Sequence, residues 1–148
     1  MIFRPLISTD FTSQFQHIYT QIFNIPWDQR NGILEHQAQW FGLFMNINDL
    51  GQDQSNLVGF VAIGQINFKP IYIMWNFTIL TQYRRQGYSY QLLNHIFLTC
   101  ENSDLYLFVD KNNVIAQKIY TDNGFVCSQT TFQPPPNHLC LVRSQSSH

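Results

Sequence analysis

One mixed α/β domain (an α+β arrangement with about seven strands in its element order) is expected from three features of this 148-residue chain. Short apolar runs bounded by Gly, Pro, Asn and Asp recur along it, as strands require. From Ser89 onward the apolar spacing changes to that of an amphipathic helix. Strand and helix patterns alternate through residues 71–110, so two strands there should lie parallel, joined by a right-handed crossover. No repeat, linker or low-complexity block interrupts residues 1–148, which are therefore expected to form a single domain with a frayed tail over 143–148.

The elements follow in order. Residues 2–6 (IFRPL) form a first short strand. Phe11, Phe15, Ile18, Tyr19 and Ile22 fall at helical spacing, with Thr9 or Asp10 available as a cap. Residues 25–41 (IPWDQRNGILEHQAQWF) suggest a second helix beginning near Pro26. Residues 41–49 read as a strand, 50–56 as a polar hairpin loop, 57–68 as a long strand and 71–80 as another. These three strands in series predict an antiparallel meander. Leu92, Leu93, Ile96 and Phe97 define the face of the next helix. Residues 104–110 (DLYLFVD) are a strongly apolar strand. The last helix, 113–123, places Ile115, Ala116, Ile119 and Tyr120 on one face, with Gly124 suited to a left-handed terminus. Two final strands, 125–132 and 138–144, flank a stiff QPPPN loop that cannot join a ladder. The order is β-α-α-β-β-β-α-β-α-β-β.

Composition narrows the function. Apolar residues make up 45%, enough for a sizeable core, while charged residues make up only 11% and the net charge is −1. A broad basic face, and with it non-specific nucleic-acid binding, is not expected. The first residues lack the pattern of a signal peptide, and no segment has the length of a membrane span. Cys100, Cys127 and Cys140 form an odd, sparse set without CxxC, which suits a reducing compartment, with buried free thiols expected at 127 and 140. The five histidines have no zinc-ligand spacing, so no metal is expected. These features predict a soluble cytoplasmic protein.

The only adjacent pair of basic residues, Arg84–Arg85, stands at a helix start in QYRRQGYSYQLL. Free amides at a helix start carry partial positive charge and favour phosphate oxygens. Gly87 removes a side chain where a ligand would approach the backbone. The stretch has neither the GK[ST] ending of a P-loop nor the glycines of a dinucleotide fingerprint, so ATP and NAD are poor candidates.

Two motifs together are specific. Arg84, Arg85, Gln86, Gly87, Tyr88 and Ser89 resemble the [RQ]-x-x-G-x-[GA] turn of the GNAT acetyltransferases, departing only at Ser89. Val109, Asn113, Ala116, Tyr120, Gly124 and Phe125 keep every spacing of that family's V-x-x-x-N-x-x-A-x-x-x-Y-x-x-x-G-F pattern. The element order is also similar to that of the family, and the resemblance implies a mixed central sheet of about seven strands with helices on both faces.

The resemblance implies acetyl-CoA as acyl donor and direct transfer to a primary amine, on a small molecule or a peptide N-terminus, within a ternary complex. It implies that the amides of Arg85, Gln86, Gly87, Tyr88, Ser89 and Tyr90 hold the pyrophosphate, with Arg84 and Arg85 supplying charge. The pantetheine arm would run along Phe77, Thr78 and Ile79, in a V-shaped splay between the strands at 71–80 and 105–110. There a β-bulge would free an amide near Thr78 or Ile79. Asn113 would cap the last helix and reach the arm. Tyr120 would be the general acid, although the residue pattern alone also allows simple packing against the sheet. The glutamate base of many relatives is missing from residues 71–80. Asn76 acting through a water and Glu35 are the remaining candidates, with His36 beside Glu35. Asp110 reads as a cap of the following turn. Acceptor-side aromatics are Phe23, Trp27, Trp40 and Trp75, each of which could equally be core. A sensor that binds acyl-CoA without catalysis, or a partner-binding domain, would have the same fold. A homodimer through the terminal strands is a family analogy.

Overall fold

The computed structural model describes residues 1–24, 38–45, 56–65, 71–101, 103–128 and 133–144. Its strands are β1 (Ile2–Pro5), β2 (Ala38–Phe44), β3 (Leu57–Gln65), β4 (Ile71–Ile79), β5 (Asp104–Asp110), β6 (Val126–Cys127) and β7 (His138–Arg143). Its α-helices are α1 (Ser13–Phe23), α2 (Tyr88–Thr99) and α3 (Val114–Asp122). One seven-stranded mixed sheet has the order β1-β2-β3-β4-β5-β7-β6. The meander β2-β3-β4 is antiparallel, and β4 and β5 are parallel across the α2 crossover. β7 inserts between β5 and β6, so the last hairpin places its later strand inside the sheet.

Alternation along the strands assigns side chains to two faces. On one face, Val61 and Ile63 of β3 join Leu105, Leu107 and Val109 of β5 and Leu141 of β7. They pack under Leu92, Leu93 and Ile96 of α2 and Tyr120 of α3. On the other face, Trp40, Phe60 and Ala62 pack against Phe15 and Tyr19 of α1. Helices therefore cover both faces, as expected. Each fully buried Leu or Phe contributes about 1.5–3 kcal/mol of hydrophobic stabilisation, so these two clusters, rather than polar contacts, hold the sheet. Arg4 and Asp10 clasp β1 to the approach to α1 through paired contacts of 2.8 and 2.9 Å. The Arg4 guanidinium and the Ile7 amide hold the Asp10 carboxyl below the usual carboxylate range.

Several expectations are corrected. Ala38 to Phe41, read as the end of a second helix, belong to β2, and residues 25–37 lie outside those described. The cap of α1 is Thr12, whose Oγ1 accepts from Phe15 N at 3.2 Å, because residues 8–10 form a separate 3-10 turn. Ile115 is 78% exposed, so the buried side of α3 is Ala116, Ile119 and Tyr120. Arg143 is the last residue of β7 rather than part of a frayed tail. All three cysteines are free, but Cys127 is exposed where burial was expected. Cys127 lies opposite Leu141, so it shares that residue's face, and Cys140 points to the other.

Candidate active site

The site begins where the sheet splits. β4 and β5 pair only from Ile71–Asp104 to Met74–Leu107. Beyond that point β4 continues along β3 to Ile79, and β5 continues along β7 to Asp110. The two strands thus separate towards their C-terminal ends, which is the expected V-shaped splay. At the same level β4 bulges. Phe60 faces Thr78 and Ala62 faces Trp75, so Val61 alone spans two β4 residues, Asn76 and Phe77. Asn76 takes the left-handed conformation, with φ 56°. The extra residue shifts the alternation. Tyr72 and Met74 face the α2–α3 side before it, and Phe77 and Ile79 do so after it.

Gly59 is what lets β3 approach this bulge. A Cβ there would stand 2.5 Å from Thr78 O and 2.8 Å from Ile79 Cδ1. The signal was present as an isolated glycine inside a strand pattern, the usual mark of close backbone approach. Thr78 is buried and donates its hydroxyl to Asn76 O at 3.0 Å, which braces the bulge from within.

Past Ile79 the chain turns into α2. Leu80 N donates to Val58 O, and a 3-10 turn spans Thr81–Tyr83. The Arg84 Nε donates to Ile79 O at 2.9 Å. Arg84, read from sequence as phosphate charge, ties the turn to the strand end. Arg85 has φ 64° and Gly87 φ 81°, which swings the main chain outward before the helix. Gly87 brings no capping side chain to α2. None of the amides of Arg85, Gln86, Gly87, Tyr88, Ser89 and Tyr90 donates to an acceptor among the described residues. A Cβ on Gly87 would meet nothing within 4 Å. Six consecutive free amides, open space before them and a helix dipole behind them form an anion cradle that fits a diphosphate.

α3 closes the other side. Asn113 Oδ1 accepts from Ala116 N at 3.1 Å and caps the helix, and Asp110 Oδ1 accepts from Asn112 N at 2.8 Å. Tyr120, on the buried side of α3, faces β4. Its ring meets Phe77 edge-on at 5.9 Å and Phe125 at 5.6 Å. Tyr120 is 8% exposed, and burial pushes its phenol well above the usual range. Its hydroxyl makes no hydrogen bond to a described residue. Arg143 was not anticipated. Its guanidinium lies 3.8 Å from the Phe97 ring centre and its Nε donates to Asn123 O, which fixes the C-terminal end of α3.

The acceptor-side aromatics separate. Trp40 is a core residue, 7% exposed among Phe11, Phe15, Tyr19 and Phe60. Its role as a pocket wall is not supported by this placement, because its neighbours are helix α1 and the sheet. Trp75 is half-buried and sits beside the bulge. Phe23 is half-buried at the end of α1. Trp27, Glu35 and His36 lie outside the described residues. A shallow cleft lined by Leu6, Asp10, Phe15, Leu80 and Gln82 lies on the α1 face; Leu80 and Gln82 belong to the turn into α2, but no residue of the splay or of the 85–90 amides lines it. Among the described residues no group of three or more His, Cys, Asp or Glu is placed to hold a metal. No described helix is long and apolar enough to cross a membrane.

A strand split by a bulge, running into a free-amide turn, matches a known family. The family model described as the acetyltransferase (GNAT) family covers residues 7–125. The chain belongs to the GNAT acetyltransferases. Solved structures agree on the fold. The ribosomal-protein-S18-alanine N-acetyltransferase of Escherichia coli superposes with a TM-score of 0.72 at 18% identity, over 99% of this chain and 95% of that one. A GNAT acetyltransferase of Staphylococcus aureus gives 0.73 at 16%, over 98% and 100%. A GNAT acetyltransferase of Elizabethkingia anophelis with acetyl-CoA bound gives 0.68 at 10%, over 97% of both chains. No curated protein sequence matches the chain.

Proposed function

We propose that this acetyltransferase moves an acetyl group from acetyl-CoA to a primary amine, both held in one cleft. The observation that carries the reading is the run of free amides from Arg85 to Tyr90 at the open end of the β4–β5 splay. Those amides would hold the diphosphate, with Arg85 supplying exposed positive charge. The unpaired edge of β4 at Phe77, Thr78 and Ile79 would take the arm as an added strand, through main-chain hydrogen bonds. When bound, acetyl-CoA supplies an activated acetyl group as a thioester. A main-chain amide freed by the bulge would stabilise negative charge on oxygen in a water-poor site. Tyr120 holds its proton throughout the neutral range, because burial disfavours the phenolate, and would donate it as a hydrogen bond to the leaving sulfur, completing the transfer as the same burial raises the basicity of the thiolate. Asn113 would bind the arm with the amide nitrogen its cap leaves free. Holding both reactants together supplies much of the rate.

The acceptor is a small-molecule amine or a peptide N-terminus. Calorimetric titration with acetyl-CoA, followed by an assay over a panel of such amines, tests the reading. Saturable binding with turnover of at least one amine supports it. Saturable binding without turnover across the panel favours an acyl-CoA sensor, and no binding refutes both.

A further inference from the structure

Among the described residues one buried side-chain polar atom lacks a hydrogen bond, Asn76 Nδ2. The same residue has φ 56°, in a region few side chains adopt. Leaving a buried donor unpaired costs about 1–3 kcal/mol. A glycine would take this backbone conformation without an orphaned amide, so the carboxamide calls for a partner of its own.

Its place on the strand supplies one. A ligand anchored at the amides of 85–90 and laid along β4 passes Ile79, Thr78 and Phe77. It reaches Asn76 just before the β4–β5 ladder closes the gap at Met74–Leu107. Phe77 touches the Tyr120 ring at this level, so the reacting end belongs here on a second count. We infer that the Asn76 carboxamide donates through Nδ2 to the acyl carbonyl oxygen of the bound thioester, so that the site distinguishes acylated from free coenzyme A. This rests on the reading above. The free thiol has no carbonyl at that position and would leave Nδ2 unpaired. Asn76 then senses the acyl group as a donor rather than standing in for a missing base.

The test is calorimetric titration of the full chain with acetyl-CoA and, separately, with coenzyme A. Wild type is expected to prefer acetyl-CoA by about two- to tenfold, the range of one hydrogen bond. Asn76→Gly, which accepts a positive φ, should abolish the preference and keep the affinity for coenzyme A within about twofold. Asn76→Asp has the same shape and tolerance of φ but no donor, and should also lose it; it carries the test if the glycine variant does not fold. Retention of the preference in either folded variant, equal loss of affinity for both ligands, or a wild type that does not discriminate overturns the inference. A wild type that binds neither ligand shows instead that the cofactor reading itself has failed.

Discussion

Tyr120 combines a buried ring with a hydroxyl that no described residue engages, beside the residue that follows the bulge. Tyr120→Phe should lower turnover about a hundredfold, within the range for a lost general acid. Its affinity for coenzyme A by calorimetry should be unchanged, and unaltered turnover would remove the phenol from the mechanism. The pKa shift also predicts a pH effect. Burial raises the folded phenol, favouring the neutral form. That contribution is complete below the unfolded value of about 10 and is lost as pH rises through the folded value. Urea unfolding should therefore show wild-type stability falling more steeply above pH 10 than that of Tyr120→Phe. The cysteines give an independent check on side-chain placement. Cys127 is exposed, whereas Cys100 is 1% exposed and its thiol is pushed up to about 12 by burial. Iodoacetamide should label Cys127 on the native protein and reach Cys100 only after unfolding. The cap at Asn113 and the place of Tyr120 on the buried side of α3 were legible because the helix motif fixes both by spacing. Trp40 was not assignable, because a tryptophan beside an apolar run reads alike in a core and in a pocket.

The bulge in β4 and the turn into α2 are main-chain features, and their glycines test them. Gly59→Ala would drive a Cβ against Thr78 O, a backbone atom with little freedom to move. Overpacking of this kind costs about 1–3 kcal/mol, and the variant should unfold at lower urea and bind acetyl-CoA more weakly, because β4 is displaced at the bulge. Gly87→Ala separates strain from contact. With nothing within 4 Å of the new Cβ, the fold should lose only the left-handed penalty of about 1–2 kcal/mol. Coenzyme A affinity should fall by more than that, because the methyl enters the space before the amides. Affinity falling no more than stability would place the ligand elsewhere. The turn was readable from Arg84 to Ser89, yet the tether from Arg84 to Ile79 O was not, since it depends on where the strand ends. The splay was an expectation of the resemblance, and the register shows it. The helix expected to reach Trp40 failed at its end, because QAQWF fits either period until its β3 partners, Ile63 and Ala62, are known.

At the scale of the molecule, the two faces of the sheet divide the work. α1 seals Trp40 and Phe60 on one side, and α2 and α3 frame the splay on the other. The strand order was largely readable because alternating apolar runs and a change of period mark elements independently of any partner. The insertion of β7 between β5 and β6 was not, since nothing local to either strand records its neighbour. A ligand bound across β4, α2 and α3 stabilises only the folded chain. At a hundred times its dissociation constant, acetyl-CoA should add about 2.7 kcal/mol and raise the melting temperature accordingly. The central claim, that main-chain amides of the turn grip a diphosphate, is tested most directly by following the backbone amide resonances of Arg85 to Tyr90 during titration with coenzyme A. The account predicts saturable shifts concentrated in those six amides. Saturable binding that leaves them unmoved, or no binding at all, would contradict it.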